Sequence, residues 1–318
     1  MDISYLLLLQ DLRNATGSAF DSFFLVITKF GENYFPYLLC LFVFWAVDKK
    51  FGERLMLTMG SAIMLNGVLK LTVCAYRPWI RNAAVLPAGD AKTTATGYSF
   101  PSGHTTQATA AYGTSAVHYR RHKGLAACLT ILLLLVMFSR NYLGVHTPQD
   151  VLVGFGATAL VAYIMNLVLT RIENSQNKQS DLIFLCIIAV LIAAALFYFT
   201  HKTYPMDYNA DGSLIVDPLK MMRDSFSGCG CCLGIFIGWV FERRFVNFSV
   251  DVSMETKAAR CISGILLYLF LMNFCYVLFL KAMGSLWGAF IGSMVIFFYF
   301  VGIHPLLFCC IEGKKKTA

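Results

Sequence analysis

The sequence predicts an all-α, polytopic transmembrane helical bundle of about nine spans. Three observations carry that prediction. Hydrophobic residues make up 58% of the 318 residues. Charged residues make up only 14%, against roughly 25% in soluble domains. Apolar runs of about membrane-crossing length recur from residue 33 to residue 310, and a spanning helix needs about 20 mostly apolar residues. A soluble core cannot absorb that much apolar surface.

Taken in order, residues 4–28 predict an amphipathic helix lying at the membrane interface, within an N-terminal segment 1–32. Its opening "MDISYLLLLQDLRN" lacks a basic n-region and its apolar run is short, so no cleavable signal peptide is expected. Spans are then expected at 33–48, 55–75, 103–119, 124–142, 149–170, 181–200, 225–242, 259–280 and 284–310. Residues 33–200 form one predicted core, 201–224 an extracytoplasmic loop, and 225–318 a set of additional C-terminal helices. In the loop, "DYNADG" begins like a calcium loop, but Pro218 stands where a bidentate glutamate is needed. An Asp- and Gly-rich turn is the expected structure. Nearly all of the 11 cysteines lie in apolar runs, "CGCC" at 229–232 among them, and read as small hydrophobes. Gly230, Gly234 and Gly238 repeat every four residues, as do Gly284, Gly288 and Gly292. Such faces let helices approach closely, within one chain or between subunits of a homo-oligomer.

The formal net charge is +8, yet the basic residues cluster in short loops. That pattern points to topology control, with membrane lipids and no nucleic acid as partner. Alternate loops hold 15 and 11 Lys/Arg, which puts the N-terminus outside and the C-terminus in the cytoplasm. The plasma membrane of a bacterium is the expected location, with the endoplasmic reticulum as the alternative for a eukaryotic protein. In the second case "KKTA" at the C-terminus resembles a dilysine retrieval signal and Asn14 a lumenal glycan site.

Three polar clusters gather at the outward ends of spans two to five. In "KLTVCAYRP", Lys70 and Arg77 are seven apart, about two helical turns, and are expected on one face of span two, which Pro78 ends. Snorkelling to the headgroups accounts well for Arg77 and less well for the deeper Lys70. In "FPSGHTTQ", Ser102 is a good N-cap and Gly103 starts a helix whose free N–H groups form an anion site. His104 points from its first turn; an ordinary cap with an interfacial histidine is the alternative. In "SRNYLGVHTPQD", Thr147, Pro148 and Asp150 fit a capped helix start, and Arg140 fits a helix end. His146 has no such structural role, and Asp150 is placed to hold one of its ring nitrogens. Three fixed cations, a helix N-terminus, a hydroxyl and two histidines on one membrane face suit a phosphoryl group. No Asp/Glu/His constellation suggests a metal, so the cations would stand in for one.

These residues resemble the three-part signature of the type 2 phosphatidic acid phosphatases, the PAP2 superfamily: Lys70, Arg77 and Pro78; Pro101 to His104; Ser139, Arg140, His146 and Asp150. The likeness covers about 80 residues, and nine spans also resemble glucose-6-phosphatase. The resemblance implies a PAP2-like core and a site acting outside the cytoplasm without cofactor or metal. It makes His146 the nucleophile that forms a phosphohistidine, Asp150 its orienter and His104 the acid for the leaving oxygen. Lys70, Arg77, Ser102, the Gly103 amide and Arg140 would hold the phosphate. Trp79, Arg81 and Tyr98 are expected to shape headgroup choice. The expected activity is hydrolysis of a lipid phosphate or lipid pyrophosphate. A phosphotransferase, a sugar-phosphate phosphatase and a non-catalytic lipid transporter are the alternatives.

Overall fold

The computed structural model describes residues 2–32 and 34–316. Among them are helices and no strand, with one isolated antiparallel bridge between Tyr208 and Leu214. Seven helical segments are long and apolar enough to cross a membrane: Lys49–Arg81, Lys123–Tyr142, Pro148–Glu173, Ser180–His201, Pro218–Val246, Met254–Met283 and Ser285–Glu312. Counting the bent pair Asp21–Lys29 and Tyr34–Val47 as one span makes eight. The chain is therefore an integral, multi-pass helical bundle, with a smaller span count than the nine expected. The difference lies at 103–119. That stretch is one uninterrupted helical run, Gly103–Ala108, a π-helical Thr109–Gly113 and Thr114–His118, which is shorter than the segments counted as spans among the described residues.

The N-terminal expectation also changes. Residues 4–28 do not form one helix but α1 (Asp2–Ala15) and α2 (Asp21–Lys29). Gly17 and Ser18 between them take positive φ, and Ser18 N–H bonds back to Arg13 O, which closes α1 with a left-handed turn. α3 (Tyr34–Phe42) runs into the π-helical turn Val43–Val47, and α4 (Lys49–Val73) follows. α4 stops short of Arg77. Cys74 takes positive φ, and Arg77, extended as the residue before a proline must be, caps a new short helix α5 (Pro78–Arg81). Lys70 and Arg77 thus do not share a helical face. α6 (Ala91–Thr94), α7 (Gly103–Ala108), α8 (Thr114–His118), α9 (Lys123–Tyr142) and α10 (Pro148–Glu173) complete the first half. Then come α11 (Ser180–His201), α12 (Pro218–Phe241), α13 (Met254–Phe270), α14 (Tyr276–Met283), α15 (Ser285–Phe298) and α16 (His304–Lys316). The "KKTA" reading falls partly on Thr317 and Ala318, which lie outside the described residues. "DYNADG" is a turn, with Gly212 at positive φ and Ser213 N–H donating to Asp211 Oδ1.

The chain separates into two compact units. One comprises Met1–Pro36, Leu65–Ala162 and Lys202–Met221. In it α2 lies on α9: Phe24 packs edge-on against Phe138 and against Tyr142, whose hydroxyl donates to Asp21 Oδ1 at 3.0 Å. α1 clasps the loop after α5, where Gln10 bonds Ala84 O and Leu86 N–H and Arg13 donates to Leu86 O. The same loop carries Ala88, Ala91 and Ala95 onto Tyr142, Leu143 and Val145. This packing brings residues 96–104 beside the end of α9 and the start of α10.

The other unit comprises Tyr37–Met64, Tyr163–His201 and Met222–Ala318. A Cβ on Gly230 or Gly234 would collide with the carbonyls of Phe290 or Met294 on α15, and one on Gly238 would lie 2.8 Å from Val301 Cβ. Gly288 and Gly292 likewise admit Phe279 of α14. Of the two uses open to these glycines, they serve close packing inside the chain. Gly284 differs, since it forms the positive-φ turn between α14 and α15 and faces open space. Cys229, Cys231 and Cys232 are buried as packing residues. Gly234→Leu is expected to cost about 1–3 kcal/mol by overpacking, read as a lower melting temperature in detergent. Gly156→Ala should leave it unchanged or slightly higher, because a Cβ there meets nothing within 4 Å.

Candidate active site

The first unit gathers all three polar clusters. Ser102 caps α7, its Oγ accepting from Thr105 N–H at 3.3 Å. Its own N–H donates to Asp150 O at 2.9 Å, tying the cap to the first turn of α10. Gly154, one turn further on, permits that approach, since a Cβ there would lie 3.0 Å from Ser102 O. A Cβ on Gly103 meets nothing within 4 Å, so space lies open beside the first amides of α7.

At the start of α10, Thr147 N–H donates to Asp150 Oδ2 at 2.8 Å and Asp150 N–H to Thr147 Oγ1 at 3.4 Å. This is the reciprocal capping box expected from "HTPQD". The same Oδ2 accepts the Ser99 hydroxyl at 2.5 Å and stands 3.3 Å from His146 Nδ1. The other ring nitrogen, Nε2, faces Arg77 Nη1 at 2.8 Å. A guanidinium has donors only, so we assign the lone pair to Nε2 and the ring proton to Nδ1, toward Asp150. Burial, and after it the charge of Arg77, hold the His146 imidazolium well below the ordinary histidine range, which leaves the ring neutral. A neutral imidazole with an oriented Nε2 lone pair is a nucleophile or base in the correct tautomer.

The three cations differ in what their donors do. Arg77 is tethered by Nε to Gly97 O (3.0 Å), by Nη2 to Thr96 O (3.1 Å) and by Nη1 to Val145 O (2.9 Å). Lys70 Nζ donates to Tyr98 O at 3.0 Å and Pro101 O at 2.9 Å, which holds the loop before α7. Arg140, in the last turn of α9, is wholly buried; Nη1 donates to Thr28 Oγ1 at 2.5 Å, while Nε and Nη2 have no partner. Unmet donors of a buried cation cost more than the roughly 1–3 kcal/mol of a neutral group, and an anion bound by both nitrogens removes that cost. His104 Nε2 is buried without a hydrogen-bond partner, 3.8 Å from Glu32 Oε1.

The three residues named for headgroup choice fall differently. The Tyr98 side chain is buried beside Tyr76, and its carbonyl serves Lys70. Trp79 stacks under the cations Arg77 and Lys92, with centroid distances of 5.9 and 5.6 Å. Arg81 is not brought to the cluster, being paired with Asp2 at 2.7 Å. Four residues join the cluster without a signal in the motifs: Ser99 on Asp150, Asn141 on His146 O, Thr28 on Arg140 and Glu32 near His104. Ser99 stands two residues before Pro101 and was within reach of a pattern, whereas Thr28 lies 112 residues from its partner. Arg140→Ala is expected to weaken binding of inorganic phosphate at least about tenfold by calorimetry, with Arg81→Ala unchanged.

Comparison with known proteins agrees with this geometry. Residues 53–173, which contain Lys70 to Asp150, match the PAP2 superfamily, and residues 226–316 match the PAP2 superfamily phosphatase, transmembrane extension. The chain is similar to the undecaprenyl-diphosphatase of Sulfolobus acidocaldarius, 29% identical over 140 residues, or 43% of this chain and 65% of that protein. It is also similar to phosphatidylglycerophosphatase B of Bacillus subtilis, 30% identical over 135 residues, or 40% of this chain and 62% of that protein. The chain therefore spans somewhat less than two thirds of the length of either relative. No solved structure matches it significantly. Two successive matches to one superfamily, the first enclosing the whole polar cluster and the second its C-terminal helices, show that the chain belongs to the PAP2 superfamily.

Proposed function

We propose that this protein is a membrane-embedded phosphatase that removes a terminal phosphate from a lipid phosphate or lipid diphosphate through a phosphohistidine. The observation that carries the reading is Arg140, a buried guanidinium with two unpartnered nitrogens in a cluster with an oriented imidazole. A phosphoryl group accepts from both unpartnered Arg140 nitrogens, draws the Arg77 Nη1–H from His146 Nε2 to one of its oxygens, and offers its phosphorus to the lone pair so released. Lys70, Arg77, Arg140, the Ser102 hydroxyl and the Gly103 amide meet the charge on its oxygens, which is the main demand of phosphoryl transfer. The cations take the part a metal ion plays elsewhere, so the reaction is read as metal-independent.

In the first step Nε2 bonds to phosphorus. The P–O bond to the leaving group breaks with its electron pair on oxygen, and His104 delivers a proton to that oxygen. Asp150 stabilises the charge that develops on the imidazole. In the second step water attacks phosphorus, His104 takes the water proton, and the P–N bond returns its pair to Nε2. Phosphate leaves with the enzyme restored.

The lipid substrate is supported by the names of the two relatives, one for undecaprenyl diphosphate and one for phosphatidylglycerophosphate. The extracytoplasmic side is supported by three helices that carry site residues at one end and a basic loop at the other. α4 begins at Lys49 and Lys50 and has Lys70 in its last turn. α9 follows Arg120 and Arg121 and ends with Arg140, and α10 begins near Asp150 and ends with Arg171. Basic loops mark the cytoplasmic face, which supports a site at the other. Purified protein is expected to release inorganic phosphate from a panel of lipid phosphates, unchanged by EDTA, and His146→Ala to reduce release to background. Full activity in that variant would sink the mechanism.

A further inference from the structure

Two residues that precede the family match, which begins at residue 53, reach the candidate site. Thr28, in the last turn of α2, accepts the Arg140 Nη1 donor at 2.5 Å. Glu32 sets Oε1 at 3.8 Å from His104 Nε2, a buried nitrogen with no hydrogen-bond partner. The chain comes this close because residue 31 is glycine. A Cβ there would lie 2.7 Å from Val136 Cγ1 and 3.0 Å from His104 Cβ. The segment is anchored on both sides, by Phe24 against α9 and by the Tyr112 hydroxyl on Phe30 O at 2.7 Å.

The electrostatics around His104 give Glu32 a task. Burial, and after it the like charges of Arg140, a protonated His146, Arg77 and Lys70, hold His104 well below the ordinary histidine range. Each opposes the protonated form that a leaving-group acid needs. A carboxylate against Nε2 supplies the opposite charge, as Asp150 does for His146. The two histidines of the site then each have a carboxylate of their own, one from α10 and one from the N-terminal segment.

We propose that Glu32 is a positioning residue for His104: it holds the imidazolium whose proton goes to the leaving oxygen, so the segment after α2 completes the catalytic site. This rests on the phosphatase reading above. As the P–O bond breaks with its pair on oxygen, the proton moves from His104 to that oxygen and leaves a neutral imidazole beside the Glu32 carboxylate. An alkoxide leaving group requires this proton, whereas a weakly basic nitrophenolate departs without it.

The test compares dodecyl phosphate with p-nitrophenyl phosphate in the purified full-length protein. Glu32→Gln should lose at least about tenfold in the first-turnover rate of leaving-group release on the alkyl ester and stay within about threefold on the aryl ester. The retained aryl rate also reports an intact fold. Glu32→Asp, which keeps the charge, should recover most of the alkyl rate. His104→Asn should show the same selectivity in the rate of the first turnover, which precedes the water step where His104 is the base, and in that rate the double variant should be no worse than His104→Asn alone. Equal losses on both esters, no loss on either, or additive losses in the double variant would overturn the proposal. Failure of the wild type to release phosphate would instead bring down the underlying reading, and the proposal with it.

Discussion

The arrangement of the first unit depends on a guanidinium that is buried and only partly satisfied. Arg140 sits in the last turn of α9 with no exposed surface, and two of its nitrogens have no partner. Burying a cation is costly unless opposite charge and hydrogen bonds surround it. Here Thr28 reaches in from α2 to take one donor, and Glu32 lies on the same side. The Arg140 carbonyl receives the N–H groups of Val145 and His146, so the chain that carries His146 folds back onto the end of α9. Unpartnered nitrogens on a buried cation suit the cluster to an anion.

Asp150 shows how a local and a chemical requirement fall on one atom. Its Oδ2 closes the capping box of α10, accepts Ser99 and faces His146 Nδ1. The cap fixes the carboxylate at the helix start, and the fixed carboxylate fixes the imidazole. Arg77 completes the constraint from the opposite side. It is tethered by three backbone carbonyls and turns one N–H toward Nε2. The ring is therefore held by an acceptor on one nitrogen and a donor on the other, which defines its tautomer before substrate arrives. Lys70 and Arg77 give most of their described hydrogen bonds to loop carbonyls, so the cations divide their work: two shape the walls and Arg140 keeps donors open.

Much of this was legible in the residue pattern. The helix starts at Ser102 and Pro148 follow from capping preferences, and the three motif segments do converge. The apolar runs identify most of the membrane helices. The errors have physical causes. Residues 4–28 read as one amphipathic helix because apolar periodicity does not register a left-handed turn at Gly17 and Ser18. Lys70 and Arg77 looked coaxial because the break at Cys74 has no glycine or proline to announce it. The glycine repeats left two kinds of packing open, and the carbonyls of Phe290 and Met294 decide between them.

The sequence by itself determined a polytopic helical membrane protein with a phosphate-binding signature, because hydropathy and capping act over neighbouring residues and leave a periodic trace. Only the tertiary structure decided which of the motif cations keeps open donors, which nitrogen of His146 faces Asp150, and that Thr28, Glu32 and Ser99 stand beside the cluster. Those outcomes depend on contacts between segments as far apart as residues 28 and 140. A threonine, a glutamate or a serine that meets its partner through folding leaves no spacing for a pattern to detect.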